Sequence, residues 1–332
     1  MSIFLPDHLG GCFTMIISAS YRTDIPAFYG SWFMNRINEG YCQVRNPYNG
    51  LYSRISLLRA DVQGIVFWTR NPAPFSSNLR VIEEKGYPFY IHFTITGYPS
   101  ILEANCISSS SAADIFRQLA SDLPEGSLVW RYDPILLTSV TPIDFHIKNF
   151  TFLASSLAGY TDEVVISFAR IYSKTRKNLD LLAGNTSGFK WYDPDNGFKK
   201  SLALKLSSIA ELYGMRLSVC AQRNILTDGL KDASCIDPYR LSRVAGYSLK
   251  IPPLKPHRPE GCGCYSSRDI GEYDTCINGC VYCYAVSSLK NARSRYRAHD
   301  PKGSSILPLQ VKTSSDREHG KQGKLFASSK DI

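Results

Sequence analysis

The chain has 332 residues, 44% of them apolar, and a formal net charge of +9, which suits one large α/β domain or two small ones. No apolar run approaches the roughly 18 residues a membrane-spanning helix needs, so no membrane partner is expected. From Ala285 to the end ten Lys and Arg stand against four Asp and Glu; the body is therefore only mildly basic, and nucleic-acid binding finds weak support, from the tail alone.

Residues 1–14 lack the basic start and apolar centre of a signal peptide, which leaves Met15 as an alternative start and 1–14 as an extension. From Met15 onward, short β-type runs alternate with helical patterns, the signature of βα units and a parallel sheet. The predicted strands are Met15 to Ala19, Gly64 to Trp68, Phe89 to Ile95, Ser127 to Trp130, Glu163 to Phe168 and Arg216 to Cys220. The predicted helices are Pro26 to Asn38, Phe75 to Lys85, Ala112 to Leu123, Phe145 to Ala158 and Phe198 to Tyr213, several closed by a following glycine. Asn49-Gly50 between two alternating segments predicts a β-hairpin over Tyr41 to Leu57. The Gly-, Asn- and Asp-rich stretch from Gly184 to Gly197 reads as an ordered loop, and the prolines from Ile251 to Pro259 read as a linker that delivers Cys262 and Cys264. A helical run is expected over Ala285 to Arg297. The expected organisation is a partial α/β barrel over 15–220, a cysteine-rich segment packed on it over 221–298, and a basic, largely disordered tail over 299–332.

In parallel α/β folds the active site lies at the carboxyl ends of the strands. Each predicted strand here runs into polar groups, and Arg22, Asp24, Arg70, Arg131, Asp133 and Ser167 form the candidate catalytic rim. Structural ion pairs and helix caps are the plainer reading of any one of them, Asp24 before Pro26 above all.

Seven of the ten cysteines fall between Cys220 and Cys283. Disulfide scaffolds spread their cysteines, whereas metal sites bunch them, so a reducing, cytoplasmic setting is expected. Cys276, Cys280 and Cys283 are spaced to converge on one soft metal centre. Three thiolates leave zinc a ligand short but suit a 4Fe–4S cluster with one open iron. Cys220, Cys235, Cys262 and Cys264 form a second set, which is either an auxiliary 4Fe–4S cluster, a zinc site or independent buried thiols. Cys12, Cys42 and Cys106 look isolated. No Gly-rich phosphate loop, HExxH or GxSxG motif is present, so kinase, dinucleotide-binding and serine-hydrolase readings lack support.

The pattern Cys276-x3-Cys280-Val-Tyr-Cys283-Tyr284 resembles the radical S-adenosylmethionine superfamily. Over most of its length the chain resembles the DUF1848 family. This likeness is carried by Ile17-Ser-Ala-Ser-Tyr-Arg22-Thr-Asp24, Phe67-Trp-Thr-Arg70-Asn-Pro72, Trp130-Arg-Tyr-Asp-Pro134 and Cys262-Gly-Cys264 through Asp269-Ile-Gly-Glu-Tyr273. Tyr21 stands where the family pattern usually has a second arginine. The resemblance implies a TIM-barrel-like partial (β/α)6 barrel, a 4Fe–4S cluster and, less firmly, S-adenosylmethionine, with Tyr282 and Tyr284 flanking the cofactor. An electron donor and an unknown substrate would be the partners. Two departures stand out: the superfamily's cysteine loop follows the first strand, here it follows the last, and no Gly-Gly-Glu motif follows the second strand. Either the fold is circularly permuted, or the chain end folds back over the rim from the far side. The competing reading is a non-catalytic zinc- or cluster-stabilised binding protein, with nucleic acid as a candidate ligand.

Overall fold

A computed structural model describes residues 14–255 and 261–309. Strand β1 (Met15–Ala19) leads into α1 (Ile25–Phe28) and α2 (Gly30–Glu39), followed by the hairpin β2 (Tyr41–Arg45) and β3 (Tyr52–Ser56). Next come β4 (Val62–Thr69), α3 (Ser76–Glu84), β5 (Phe89–Thr94), α4 (Ser109–Asp122), β6 (Leu128–Ile135), the short β7 (Leu137–Thr138), α5 (Ile143–Leu157) and β8 (Glu163–Phe168). The chain continues through α6 (Ser173–Asn185), β9 (Trp191–Tyr192), α7 (Asn196–Leu212), β10 (Arg216–Val219), β11 (Lys231–Asp232), α8 (Pro238–Ala245), β12 (Ser267–Asp269) and α9 (Leu289–Arg297). Among these helices none is long and apolar enough to cross a membrane.

Eight strands form one parallel sheet in the order β11-β10-β8-β6-β5-β4-β1-β12. From β1 to β11 each strand is laid beside its predecessor, with no reversal of the kind that creates a switch point in doubly wound sheets. The last strand instead travels back across the molecule to pair with the free edge of β1. β11 and β12 are opposite edges, so the sheet is not closed into a barrel.

The two-residue period of the strands sorts the sheet into two unlike faces. One face carries Ile17, Ala19, Ile65, Phe67, Ile91, Phe93, Trp130, Tyr132, Val164 and Ile166, buried beneath α2 to α5 and α7 as the main core. The other carries Ile16, Val66, Tyr90, Val129 and Val165, covered by the chain after residue 220 through Ala233, Cys235, Ile236, Leu241, Cys262 and Cys264. Helix α8 closes the amino-terminal end of that second face. A Cβ on Gly64 would lie 2.8 Å from Leu241, and buried Arg240 is held by Asp162 at 2.9 Å and Glu163 at 2.7 Å.

All six expected strands are present, the fourth extending to Ile135. The expected helix over Pro26 to Asn38 is two helices, because the backbone breaks at Tyr29, whose hydroxyl donates to the Thr275 carbonyl at 2.7 Å. Helices α6 and α8 were not expected, and α9 starts at Leu289 rather than Ala285. Part of the supposed tail is ordered: Gln43 N–H donates to the Ser304 carbonyl at 2.7 Å, Trp32 Nε1 to Gly303 at 3.0 Å, and Ile306 is buried. The linker forms an isolated bridge from Leu254 to Tyr265. Cys12, His257 and the rest of the tail lie outside the described residues.

Candidate metal centre and strand-end rim

The rim residues all stand at the carboxyl end of the sheet but join three separate buried networks. The first surrounds Asp269 on β12. Its carboxylate accepts from Ser18 Oγ and Ser20 Oγ at 2.8 Å, and from the N–H groups of Tyr21 and Gly271 at 3.0 Å. Arg22 Nε lies 3.6 Å away. Burial pushes Asp269 above the ordinary carboxylate range, with Arg22 and the donors opposing it. Asp269 thus clamps β12 to β1.

The second network surrounds Arg70, just past β4. Its guanidinium donates to Thr96 Oγ1 at 3.1 Å and Tyr282 Oη at 2.6 Å, and pairs with Glu103 at 2.9 Å. Thr96 and Tyr282 both donate to that carboxylate as well. The Arg70 backbone N–H reaches Asp24 Oδ2 at 2.8 Å, which also accepts from Asn278 Nδ2 at 3.1 Å. Asp24 Oδ1 accepts from Ala27 N–H at 3.1 Å, so the residue is a helix cap and a cross-link at once. Burial raises its carboxyl above the usual range against these donors.

Between these networks lies the Cys276 to Cys283 loop, strapped to three elements. It meets the segment after β5 through the Val281 N–H to Leu102 carbonyl bond at 3.0 Å and Asn105 Nδ2 to Ile277 at 2.8 Å. It meets α6 through Lys174 Nζ to the Tyr284 carbonyl at 2.9 Å and Asn178 Nδ2 to Val281 at 3.1 Å. Tyr284 Oη donates to the Tyr21 carbonyl at 2.5 Å, beside β1. The sulfurs accept backbone N–H groups, Cys276 from Asn278 and Cys283 from Ala285 and Val286. Such donors stabilise thiolates and are the usual lining of an iron–sulfur loop. Burial pushes Cys276 up, and Cys283 up to about 11. The hydrogen bond from Cys106, with Arg70 acting the same way, draws Cys280 below its ordinary value despite burial. Cys106, which looks isolated in sequence, is therefore a fourth thiol beside this loop.

The third network lies on the second face of the sheet. Arg131 donates to Asp133 at 2.5 Å and to Cys235 Sγ at 3.1 Å, and Ser167 donates to the same Asp133. Its guanidinium lies 5.0 Å from the Trp68 ring centroid, and Trp68 stacks on His92 at 4.4 Å. His92 Nε2 donates to the Cys235 carbonyl at 2.8 Å, while buried Nδ1 has no partner among the described residues. Burial and then Arg131 keep this imidazole neutral. Cys235 and Cys220 lie 3.4 Å apart, and the thiols of Cys235 and Cys264, and of Cys264 and Cys262, are also in contact.

The thiols thus meet in pairs. Among the described residues no three His, Cys, Asp or Glu groups already enclose a common point as they do around a bound ion. A surface depression of about 810 Å³ runs along α6 past Arg176 and Asp180, and another of about 320 Å³ lies beside Gly214 and Lys231; neither touches the rim. Sequence reasoning missed Glu103, Trp68 and His92. His92 was findable, since it alternates with Phe89, Ile91 and Phe93 and so must face the opposite side of its strand.

No curated protein and no solved structure matches the chain. The family model described as Domain of unknown function (DUF1848) matches residues 16–285, and the chain belongs to that family.

Proposed function

We propose that this chain is an iron–sulfur enzyme built on a circularly permuted partial barrel of the radical S-adenosylmethionine type, with Cys276, Cys280 and Cys283 as cluster ligands. One observation carries the reading. Strand β12 lies parallel to β1 on its outer edge, and the three-cysteine loop leaves the carboxyl end of β12. Counted from β12 across the sheet, the loop follows the first strand, as in the superfamily it resembles; the sequence order differs only in where the chain begins. The unreversed winding from β1 to β11 and the polar second face favour curvature toward a partial barrel.

When bound, a three-thiolate 4Fe–4S cluster supplies an electron and an open iron for reductive cleavage of S-adenosylmethionine. The residues present fit such a group, because amide N–H donors already face Cys276 and Cys283. Arg70, Glu103 and Tyr282 hold the loop in place, and Arg70 adds positive charge beside Cys280. Trp68, His92 and Arg131 on the second face offer a stacking surface, a neutral imidazole nitrogen and a cation toward a substrate.

A second reading rests on Cys106. Its thiol meets Cys280, and a fourth thiolate would close the site into a structural zinc centre or a coordinatively saturated cluster. The test is anaerobic reconstitution with iron and sulfide, reduction, and assay of 5′-deoxyadenosine release from S-adenosylmethionine. The enzyme reading expects release by the intact protein and by Cys106→Ala and Cys42→Ala, and none by Cys280→Ala. Colourless protein carrying zinc that is lost in Cys106→Ala would establish the closed site instead.

A further inference from the structure

We infer that Cys220, Cys235, Cys262 and Cys264 form a second, separate metal site, for a single tetrahedral thiophilic ion of the zinc class rather than a cluster. The thiols come from three segments far apart in the chain. Cys220 ends β10, and its N–H donates to the Ile166 carbonyl at 2.8 Å. The chain turns sharply after it, through Ala221 at φ 53°. Cys235 is set by its carbonyl, which accepts from Tyr90 Oη and His92 Nε2, both at 2.8 Å. The Cys262-Gly-Cys264 turn is tied down by Gly263 N–H to the Ala233 carbonyl at 3.2 Å and Tyr265 N–H to the Ile236 carbonyl at 3.0 Å. Only glycine fits its centre, because a Cβ on Gly263 would lie 2.9 Å from the Ala233 oxygen.

The contact pattern selects the metal. With zinc–sulfur bonds near 2.3 Å, the sulfurs of a tetrahedral site stand about 3.8 Å apart. The observed 3.4 Å between Cys220 and Cys235 is of that order. Around a cubane each ligand sits on a different iron, and no two ligand sulfurs come into contact. In a two-iron cluster contacts arise only within each pair. Here Cys235 meets both Cys220 and Cys264, and Cys264 in turn meets Cys262, an unbroken run that one ion accommodates. Four thiolates around a divalent ion carry a net charge of −2, and the Arg131 guanidinium, 3.1 Å from Cys235 Sγ, lies where it offsets part of that charge. The ion would pin the chain after residue 220 onto the second face of the sheet, independently of what the Cys276 loop binds.

The test uses full-length protein purified anaerobically from zinc-supplemented medium, with metals counted per chain. Close to one zinc is expected in the wild type and in Cys280→Ala, released stoichiometrically by an organomercurial and detected with a metallochromic dye. Cobalt(II) in its place should show the intense thiolate charge-transfer and visible bands of a four-sulfur tetrahedral site. Cys264→Ser should retain little zinc while its circular dichroism stays native. Should that variant fail to fold, mercurial release and the cobalt spectrum of the wild type decide alone. A Cys220–Cys235 disulfide, iron and sulfide retained by Cys280→Ala, or a wild type without zinc would each overturn the proposal.

Discussion

Arg131 on β6 and Cys235, 104 residues later, are joined by a guanidinium-to-sulfur hydrogen bond of 3.1 Å inside the protein. The same guanidinium neutralises Asp133, so one cation serves a carboxylate and a thiol together. Replacing Arg131 with methionine keeps the bulk and strands the carboxylate. Breaking a buried pair from one side costs about 3–5 kcal/mol, and the denaturant midpoint should fall accordingly. Arg131→Met with Asp133→Asn should recover part of that loss, since the orphaned charge is gone; no recovery would mean the pair does not act as a unit.

Gly271 follows the strand that brings the cysteine loop to the edge of β1. A Cβ there would lie 1.9 Å from Ser20 Oγ, and that hydroxyl donates to Asp269. Gly271→Ala should therefore disrupt the Asp269 clamp, at a cost of about 1–3 kcal/mol for overpacking. Hydrogen exchange should show faster exchange of the Ile270 amide, which donates to the Ser18 carbonyl at 3.0 Å, with little change at the centre of β6.

Much of this architecture was legible in sequence because the central strands are buried on both faces and read as apolar runs. The edges were not. β11 is Lys231-Asp232 and β12 is Ser267–Asp269, too short and polar to betray a strand, and β12 is the one that decides the topology. Helix α6 was hidden by its mostly polar composition, with only Thr175 and Leu179 buried. The cysteine spacings announced two thiol sets. Their neighbours Glu103, Cys106 and His92 could not be found that way, since what joins them to the thiols is tertiary contact between segments distant in the chain.

His146 on α5 is fully buried, with Nδ1 accepting from Tyr132 Oη at 3.0 Å and Nε2 donating to the Leu136 carbonyl at 3.1 Å. Burial lowers it to about 4, so the unfolded chain binds the proton more readily. The stability it contributes is complete above the unfolded value near 6.5 and is lost as pH falls toward 4. Between pH 7.5 and 5.0 this amounts to about 2 kcal/mol. His92 acts with the same sign. Urea midpoints at the two pH values should therefore fall more in the wild type than in His146→Gln. An equal fall would remove His146 from the account.

Glu103 and Tyr282 make different demands on Arg70, and the difference yields a test of what holds the cysteine loop. Tyr282→Phe deletes a hydroxyl that bridges two groups already paired with each other at 2.9 Å, so it should cost about 1 kcal/mol. Glu103→Gln leaves the buried guanidinium without its counter-charge, at a cost of about 3–5 kcal/mol. The loop is bridged to this segment at Glu103 and Cys280, so the loss should be felt at the thiols as well. Iron incorporated per chain on anaerobic reconstitution should then be near the wild-type value in Tyr282→Phe and clearly reduced in Glu103→Gln, while Arg80→Ala, on the exposed face of α3, changes neither stability nor iron. If Glu103→Gln loses stability but binds iron as the wild type does, the Arg70 network supports the fold alone and does not position the cysteine loop.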